Sequence, residues 1–474
     1  MKRSWKSVCS IALGLSFLGA MTGCGTENNS EETPVEIRWA EYDASQDAAF
    51  LPKDIFTDEL FVPGLLPGEG DVFLMTEDAS AGSFVLKGEY GKCYEVKIPE
   101  GCQSVVAFRT VADPASAEVG SSRGYTDETK LYASTSGEAA AFMYTCREAR
   151  EYLVIYTGNR EPIYIGERTI VGQEDTVGPW YVPAPVGSIA DDCAWGDFCW
   201  DSETFLNRLY EPSRKKYPNY ITREVIGKDQ SGQYDQYGYV YAPEQYEVTM
   251  FLTGGMHANE EVGYYALAKV MQLIADATPE DQLLYTLRQK VRFVVVPLIN
   301  VWGVSQDHTG AAGVARSRIR KNSTETDLNR DFGDLSQQES QNVMAYFAQW
   351  AEDAVIAMDF HTASTKNISM WYNFINFTDN SVANYKTVNH MYHRYVELGC
   401  SQKQTDLAHV PGSYVKSDKY IEGRIWNQYG VPTITVEHVV NENFPRIYSD
   451  EAMTLAVENY SNFIIQNALF YLQS

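Results

Sequence analysis

The stretch GGMHANEE (residues 254–261) sets His257 and Glu260 three residues apart at a loop entering a helix. At that spacing both side chains can face one point, and a neutral imidazole with a carboxylate suits a borderline ion such as zinc. The two glycines let the backbone turn sharply beneath them. Alone, the H-x-x-E pattern is a weak signal and reads more readily as a capping glutamate beside an incidental histidine. His361 ends the apolar run AVIAMDFHT (354–362) and would supply a third ligand. Three protein ligands leave a fourth position for water, which separates catalytic from structural zinc. By itself His361 is a satisfied strand-end histidine. Glu437 closes TITVEH (433–438) and is not needed as a ligand, so it can serve as a base. A carboxylate beside metal-activated water, whose pKa falls from about 15.7 to about 7, can take its proton and hand it to a leaving amine. The plainer reading of Glu437, a solvated strand terminus, sits awkwardly behind the buried-looking run VPTITV. Between these residues lies RKNSTETDLNRDF (320–332), with Arg320, Asp327, Asn329 and Arg330. Guanidinium groups bind a carboxylate bidentately or stabilise a tetrahedral oxyanion, and Asp327 can fix the tautomer of a zinc-binding histidine. Otherwise the run is a surface turn whose charges pair locally.

These residues need strands that end at one edge. EVTMFL (247–252), VRFVVVPLIN (291–300), AVIAMDFHT and TITVEH alternate with helical stretches at Glu260 to Ile274, Ser336 to Trp350, Ala383 to Cys400 and Asp450 to Leu472. Such alternation predicts an α/β domain, a mostly parallel mixed sheet flanked by helices, with ligands at the carboxyl ends of its strands. Ser336 with Glu339 forms an S-x-x-E capping box ahead of Val343, Phe347 and Trp350. Upstream, from Val35 to Val182, short runs rich in Val, Ile, Tyr and Phe are separated by Gly, Pro, Asp and Ser clusters, which predicts an all-β sandwich-like domain. VGPWYVPAPVGS (177–188) changes the texture and marks the boundary. His390, Met391 and His393 fall in the helical stretch 383–400 and read as solvated or packed. WYNFINF (371–377) should help to line the cleft after His361.

The 474 residues suit two or three domains, and 44% hydrophobic residues suffice for packed cores. A formal net charge of -25, with no Lys/Arg-rich run, makes nucleic acid an unsuitable partner. Residues 1–23 combine Lys2, Arg3 and Lys6 with the apolar run Ile11 to Leu18, too short for the ~20 residues of a membrane span, and end in Met-Thr-Gly before Cys24. This pattern predicts a bacterial secretion signal with Cys24 as the lipidated first residue, and hence an exported chain held at the cell envelope through a lipid anchor only. The resulting plan is a signal over 1–23, a tether over 24–34, the β domain over 35–182, a linker over 183–200 and the α/β domain over 201–474. Six cysteines remain after the signal and Cys24. Cys93 with Cys102 and Cys193 with Cys199 could each close a local loop, while small buried thiols are the alternative.

HANE, DLNRDF, a strand-end His and a strand-end Glu, in that chain order, resemble the zinc metallocarboxypeptidase family. The resemblance covers about Asp201 to Ser474, opening with SETFLNRLYEPSRKKYPNYITREVIGKDQSGQ and including PLINVWGV, similar to the family's Pro-x-x-Asn turn. It implies that His257, Glu260 and His361 bind one zinc ion and that Glu437 is the general base. It further implies that Asn329 and Arg330 hold the substrate's terminal carboxylate, and that Asp327 stands behind the first zinc histidine. The arginine that polarises the scissile carbonyl in digestive members aligns near Ser323; in other relatives it stands seven residues before the DLNR aspartate, which here is Arg320. The mobile tyrosine of the family corresponds to Tyr414, with Tyr420 as the alternative. Side-chain specificity would be set within Asp418 to Tyr429. The expected activity is hydrolysis of the last peptide bond of a peptide or cell-wall peptide. DLNRDF and DFHTAS are also similar to the aspartoacylase and desuccinylase branch, which cleaves small acylated amino acids. That branch tends to append a small β domain after the base, whereas YSDEAMTLAVENYSNFIIQNALFYLQS reads as a helix. An inactive, binding lipoprotein is the remaining alternative, against which every metal and base position is filled.

Overall fold

The computed structural model describes residues 53–69, 72–89, 93–102, 104–124, 130–135, 137, 140–146, 151–158, 162–168, 180–187, 200–306, 319–365, 371–374, 387, 410–412, 418–441 and 450–473, all within one unit, Ile37–Ser474. Its amino-terminal part is β-rich, as the alternating pattern predicts. A five-stranded antiparallel sheet runs Phe61–Pro63, Gly82–Lys87, Tyr152–Tyr156, Val105–Thr110, Lys130–Ser134, and a four-stranded one runs Lys53–Asp54, Tyr164–Arg168, Cys93–Ile98, Ala140–Thr145. Strand period two sorts the side chains between cores. Leu153 and Ile155 join Val96 and Ile165 between these two sheets, while Val154 turns the other way, to Leu65 and Phe73 of a third sheet. Cys102 and Cys146 are buried in the first of these cores. Cys24, Cys193, Cys199, Cys400 and the stretch 388–400 lie outside the described residues.

The carboxyl-terminal part holds one eight-stranded mixed sheet. Its strands are β1 (Ile221–Lys228), β2 (Asp235–Tyr241), β3 (Val248–Gly254), β4 (Val291–Val296), β5 (Ala354–Thr365), β6 (Trp371–Phe374), β7 (Val410–Gly412) and β8 (Thr433–Asn441). They lie in the order β1-β2-β4-β3-β5-β8-β6-β7, with β4, β3, β5 and β8 mutually parallel. The described helices are α1 (Ser202–Leu209), α2 (Glu211–Lys216), α3 (Glu261–Asp276), α4 (Gln282–Lys290), α5 (Val301–Ser305), α6 (Gln338–Ala348), α7 (Ile421–Tyr429) and α8 (Asp450–Gln473). Every residue of β3 and β4 is buried, which is why these strands read as continuous apolar runs. Met250 and Leu252 face the layer built by α3, α4 and α8, and Phe251 faces α6 and α7. Because β4 and β5 flank β3 on opposite sides, the carboxyl end of β3 is a topological switch point.

One local expectation needs correction. The helix begins at Gln338, with Gln337 at its cap and no side-chain cap bond, so the Ser336 to Glu339 box does not form. Instead Asp331 caps it. Its carboxylate accepts the Ser336 and Gln337 N–H groups, each at 3.0 Å, and the Ser336 and Ser340 hydroxyls. Glu339 is buried, takes a bond from Asn322, and has its pKa raised by burial. A carboxyl held in that way is a poorer acceptor than the nearby aspartate. Among the described residues no helix is long and apolar enough to cross a membrane.

Candidate active site

Gly255, at φ +62°, ends β3 in a conformation that favours glycine, and a Cβ there would meet Leu298 at 2.9 Å. The chain then delivers His257 and caps α3 with Glu260. Gly263 lets α3 lie against the end of β5, since a Cβ would stand 2.9 Å from the Thr362 hydroxyl and 3.2 Å from the His361 carbonyl carbon. This close approach brings Glu260 to His361, 101 residues away in sequence. The Glu260 carboxylate lies between two imidazoles, Oε1 at 2.8 Å from His257 Nδ1 and Oε2 at 2.8 Å from His361 Nδ1. The Thr362 N–H also donates to Oε2 at 3.2 Å. One ligand atom from each of these three residues falls within 4.8 Å of the others, and both histidines are buried.

The far side of each ring is held by an aspartate. His257 Nε2 is 3.0 Å from Asp327 Oδ1, and His361 Nε2 is 2.6 Å from Asp359 Oδ2, whose other oxygen accepts from the Thr253 hydroxyl. If each Nε2 carries the hydrogen it gives to its aspartate, both Nδ1 lone pairs point at the Glu260 oxygens, and three lone-pair donors oppose one another. A divalent cation among them relieves all of that opposition at once, and two nitrogens with a carboxylate are a donor set for zinc. The electrostatics agree. Burial disfavours charge on His361, yet Asp359 and Glu260 outweigh it and raise its pKa well above the ordinary value. Burial likewise works against Glu260 and Asp327, but the imidazoles and, for Asp327, Arg320 and Arg330 hold both carboxyls well below the usual range.

The RKNSTETDLNRDF run is not a loose surface turn. Asn300, fully buried, donates from Nδ2 to the carbonyls of Arg320 and Lys321, both at 3.1 Å, and Asn322 Oδ1 accepts the N–H groups of Thr324 and Thr326. Glu325 and Leu335 sit at φ +61° and +48°, and the Asn322 and Asp331 bonds on either side hold these turns. Arg320 thereby reaches the ligand set: its guanidinium donates to Glu260 Oε1 at 3.0 Å and to Asp327 Oδ2 at 3.2 Å, while its side chain stays 42% exposed. Asn329 is buried with its Oδ1 unpartnered. Arg330, next to it, is exposed, stacks 4.6 Å from the centroid of Tyr420 and gives one bond to the Asn329 carbonyl. Ser323, three residues from Arg320, has no guanidinium to offer.

Strand register places Glu437 of β8 beside His361 of β5. Tyr414 lies outside the described residues; Tyr420, the alternative, caps α7 beneath Arg330. Two carboxyl groups join the site without having been singled out from sequence. Asp359 stood in plain view, because D-x-H in a strand puts both side chains on one face. Glu422, in the first turn of α7, is buried with Oε2 unpartnered, and its pKa is raised by burial and by the nearby Asp359.

Residues 207–430 match the family model for zinc carboxypeptidases. No curated protein matches the chain. Similar solved structures include a metallo-carboxypeptidase from Burkholderia cenocepacia, 13% identical over 89% of this chain and 97% of that one, with a TM-score of 0.43. Bovine thrombin-activatable fibrinolysis inhibitor, solved with tick carboxypeptidase inhibitor, is 16% identical over 56% of this chain and 96% of its own, with a TM-score of 0.41. Carboxypeptidase A from Helicoverpa armigera is 14% identical over 57% and 74%, with a TM-score of 0.42. The segment that matches the zinc carboxypeptidase model contains the whole HANE to DLNRDF to His361 constellation.

Proposed function

We propose that the carboxyl-terminal domain is a zinc-dependent carboxypeptidase that removes the last residue of a peptide or cell-wall peptide, in a protein exported to the bacterial envelope and anchored by lipid at Cys24. The observation that carries the reading is the convergence of His257, Glu260 and His361, with an aspartate behind each imidazole. These three residues would hold the ion. Bound zinc supplies a Lewis acid that polarises a carbonyl and lowers the pKa of water.

The chain's own groups do the rest. Asp327 and Asp359 keep the Nδ1 lone pairs aimed inward. Glu437, in register beside His361, takes the proton of the attacking water and passes it to the departing amine. Arg320, tied to Glu260 and Asp327 yet exposed on one side, steadies the oxyanion that develops on the scissile carbonyl. Arg330 and Asn329 clamp the terminal carboxylate, Arg330 with guanidinium N–H groups still open and pre-oriented by the Tyr420 ring.

The test is a mixed peptide pool with free and amidated carboxyl ends, digested by the zinc-loaded protein and by Glu437→Gln, with products read by mass spectrometry. Stepwise loss of terminal residues from free ends alone, absent in the variant although zinc stays bound, is the expected result. Cleavage of acylated amino acids but not peptides would replace the proposal with the aspartoacylase-like reading. No cleavage of any substrate class with zinc bound would leave a binding protein.

A further inference from the structure

The segment 180–187 of the Pro-rich boundary lies along α8. Thr454, Glu458 and Asn462, four residues apart, form one stripe of that helix and take hold of the segment. The Trp180 indole N–H donates to Glu458 Oε1 at 3.0 Å, and the Val186 N–H donates to the Thr454 hydroxyl at 3.2 Å. The Asn462 amide accepts the Tyr181 N–H at 2.9 Å and donates to the Tyr181 carbonyl at 2.8 Å, as a neighbouring strand would. Trp180, Tyr181 and Val186 also pack against the core beneath, and Glu458 and Asn462 are buried. The strap is therefore bonded along two turns of the helix.

Two residues round from that stripe, about 200° at 100° per residue, α8 presents the opposite face to the sheet. There the Tyr460 hydroxyl donates to the His361 carbonyl, and its ring packs 4.7 Å from that of Phe360. The adjacent Asn459 donates from Nδ2 to His438 Nδ1 at 3.3 Å, with burial keeping that imidazole neutral at a pKa of about 3. His438 follows Glu437 directly in β8, so one helix turn grips both strands that carry the site.

We propose that the strap Trp180 to Val186 and the Asn459–Tyr460 pair form one positioning device: the strap sets the seat of α8, and α8 sets His361 against its metal. Neither touches substrate or ion. This inference rests on the metal reading above. His361 is fixed at Nε2 by Asp359 and at its carbonyl by Tyr460, so Nδ1 can hold its direction only while both remain. Because the Tyr460 hydroxyl is buried and donates to a main-chain group, its loss frees that stretch of β5 to shift rather than removing a ligand.

The experiment uses the full zinc-loaded chain, with zinc release to a chromophoric chelator as the main readout and a kcat and KM split beside it. Tyr460→Phe should speed zinc release about tenfold, the low end of what partners outside the ligand set contribute, and lower kcat with KM unchanged. Asn462→Ala, which unfastens the strap, should act in the same direction, and the double variant should be no faster than Tyr460→Phe alone, because the strap works through that tyrosine. A merely structural role would lower the melting temperature while zinc release from folded protein stayed at the wild-type rate, and that result, or strictly additive effects, overturns the inference. Should Tyr460→Phe fail to fold, release from Asn462→Ala decides alone: faster supports, unchanged overturns. Wild-type protein that binds no zinc sinks the metal reading itself, a different failure from a wild type that binds zinc and variants that release it no faster.

Discussion

In the proposed function Arg330 is a residue prepared before substrate arrives. Its guanidinium lies over the Tyr420 ring and spends one N–H on the Asn329 carbonyl, while the buried Asn329 Oδ1 lacks a partner. An exposed arginine normally loses side-chain entropy on binding an anion; one already stacked loses less. Replacing Arg330 with Ala should therefore lower kcat/KM about ten- to hundredfold for peptides with a free terminal carboxylate, the size of one charge-assisted hydrogen bond. Amidated peptides, which lack that charge, should be affected far less. Steady-state kinetics on matched pairs give the answer, and an unchanged preference would assign Arg330 to the fold alone. His257, Glu260 and Asp327 could be found in sequence because their types are unusual at a strand end and their spacing is local. Asp359 also left a local mark, two residues before His361. Tyr460 left none: it is 99 residues from the carbonyl it holds and sits in a helix among buried Phe463, Ile464 and Ile465, where an aromatic ring reads as one more core residue.

At the scale of elements, buried strands announce themselves and caps do not. The runs that became β3, β4, β5 and β8 are apolar on both faces, so their pattern survives translation into structure. The S-x-x-E pattern misplaces the start of α6 because its cap comes from Asp331, five residues ahead of Ser336, which no i to i+3 rule reveals. Helix α7 carries another tension of this kind. Glu422 lies in its first turn, where a negative charge would be welcome, yet burial above all, with the charge of Asp359, raises its pKa against the opposing pull of His361. The folded-state pKa then exceeds the unfolded one. Below the unfolded pKa both states are protonated and nothing is lost. As pH rises past it, only the folded state retains the proton, so stability falls until the folded pKa is reached. Glu422→Gln keeps the shape and removes the titration. It should match wild type at pH 4 and melt about 2–4 °C higher at pH 7, the effect of roughly 1 kcal/mol on a domain of this size. A gap that does not widen between those pH values would show that Glu422 is charged in the folded protein and paired.

On the scale of the whole molecule, the site is a knot between distant parts of the chain. Glu260 caps α3, His361 lies within β5, Asp327 comes from the turn before α6, and each depends on the others being in place. Without a cation, His257, His361 and Glu260 turn lone pairs on one another, and the raised pKa of His361 is the protein's own means of putting positive charge there. A proton can relieve one of these contacts; a divalent ion relieves all three. Zinc should therefore act as a stabiliser of the folded state far beyond its effect on any single ligand. An ion that binds only the folded form adds about 1.4 kcal/mol for each tenfold rise above its dissociation constant. For a domain of this size that is roughly 3–6 °C in melting temperature per decade of free zinc. Scanning calorimetry across a series of zinc buffers should show this slope, and EDTA should take the transition to its lowest value. His361→Ala should flatten the slope, since removing one ligand forfeits the tridentate site even where the fold survives. A wild-type transition indifferent to zinc would mean that the three donors are satisfied by protons alone, and the catalytic proposal would fall with the metal.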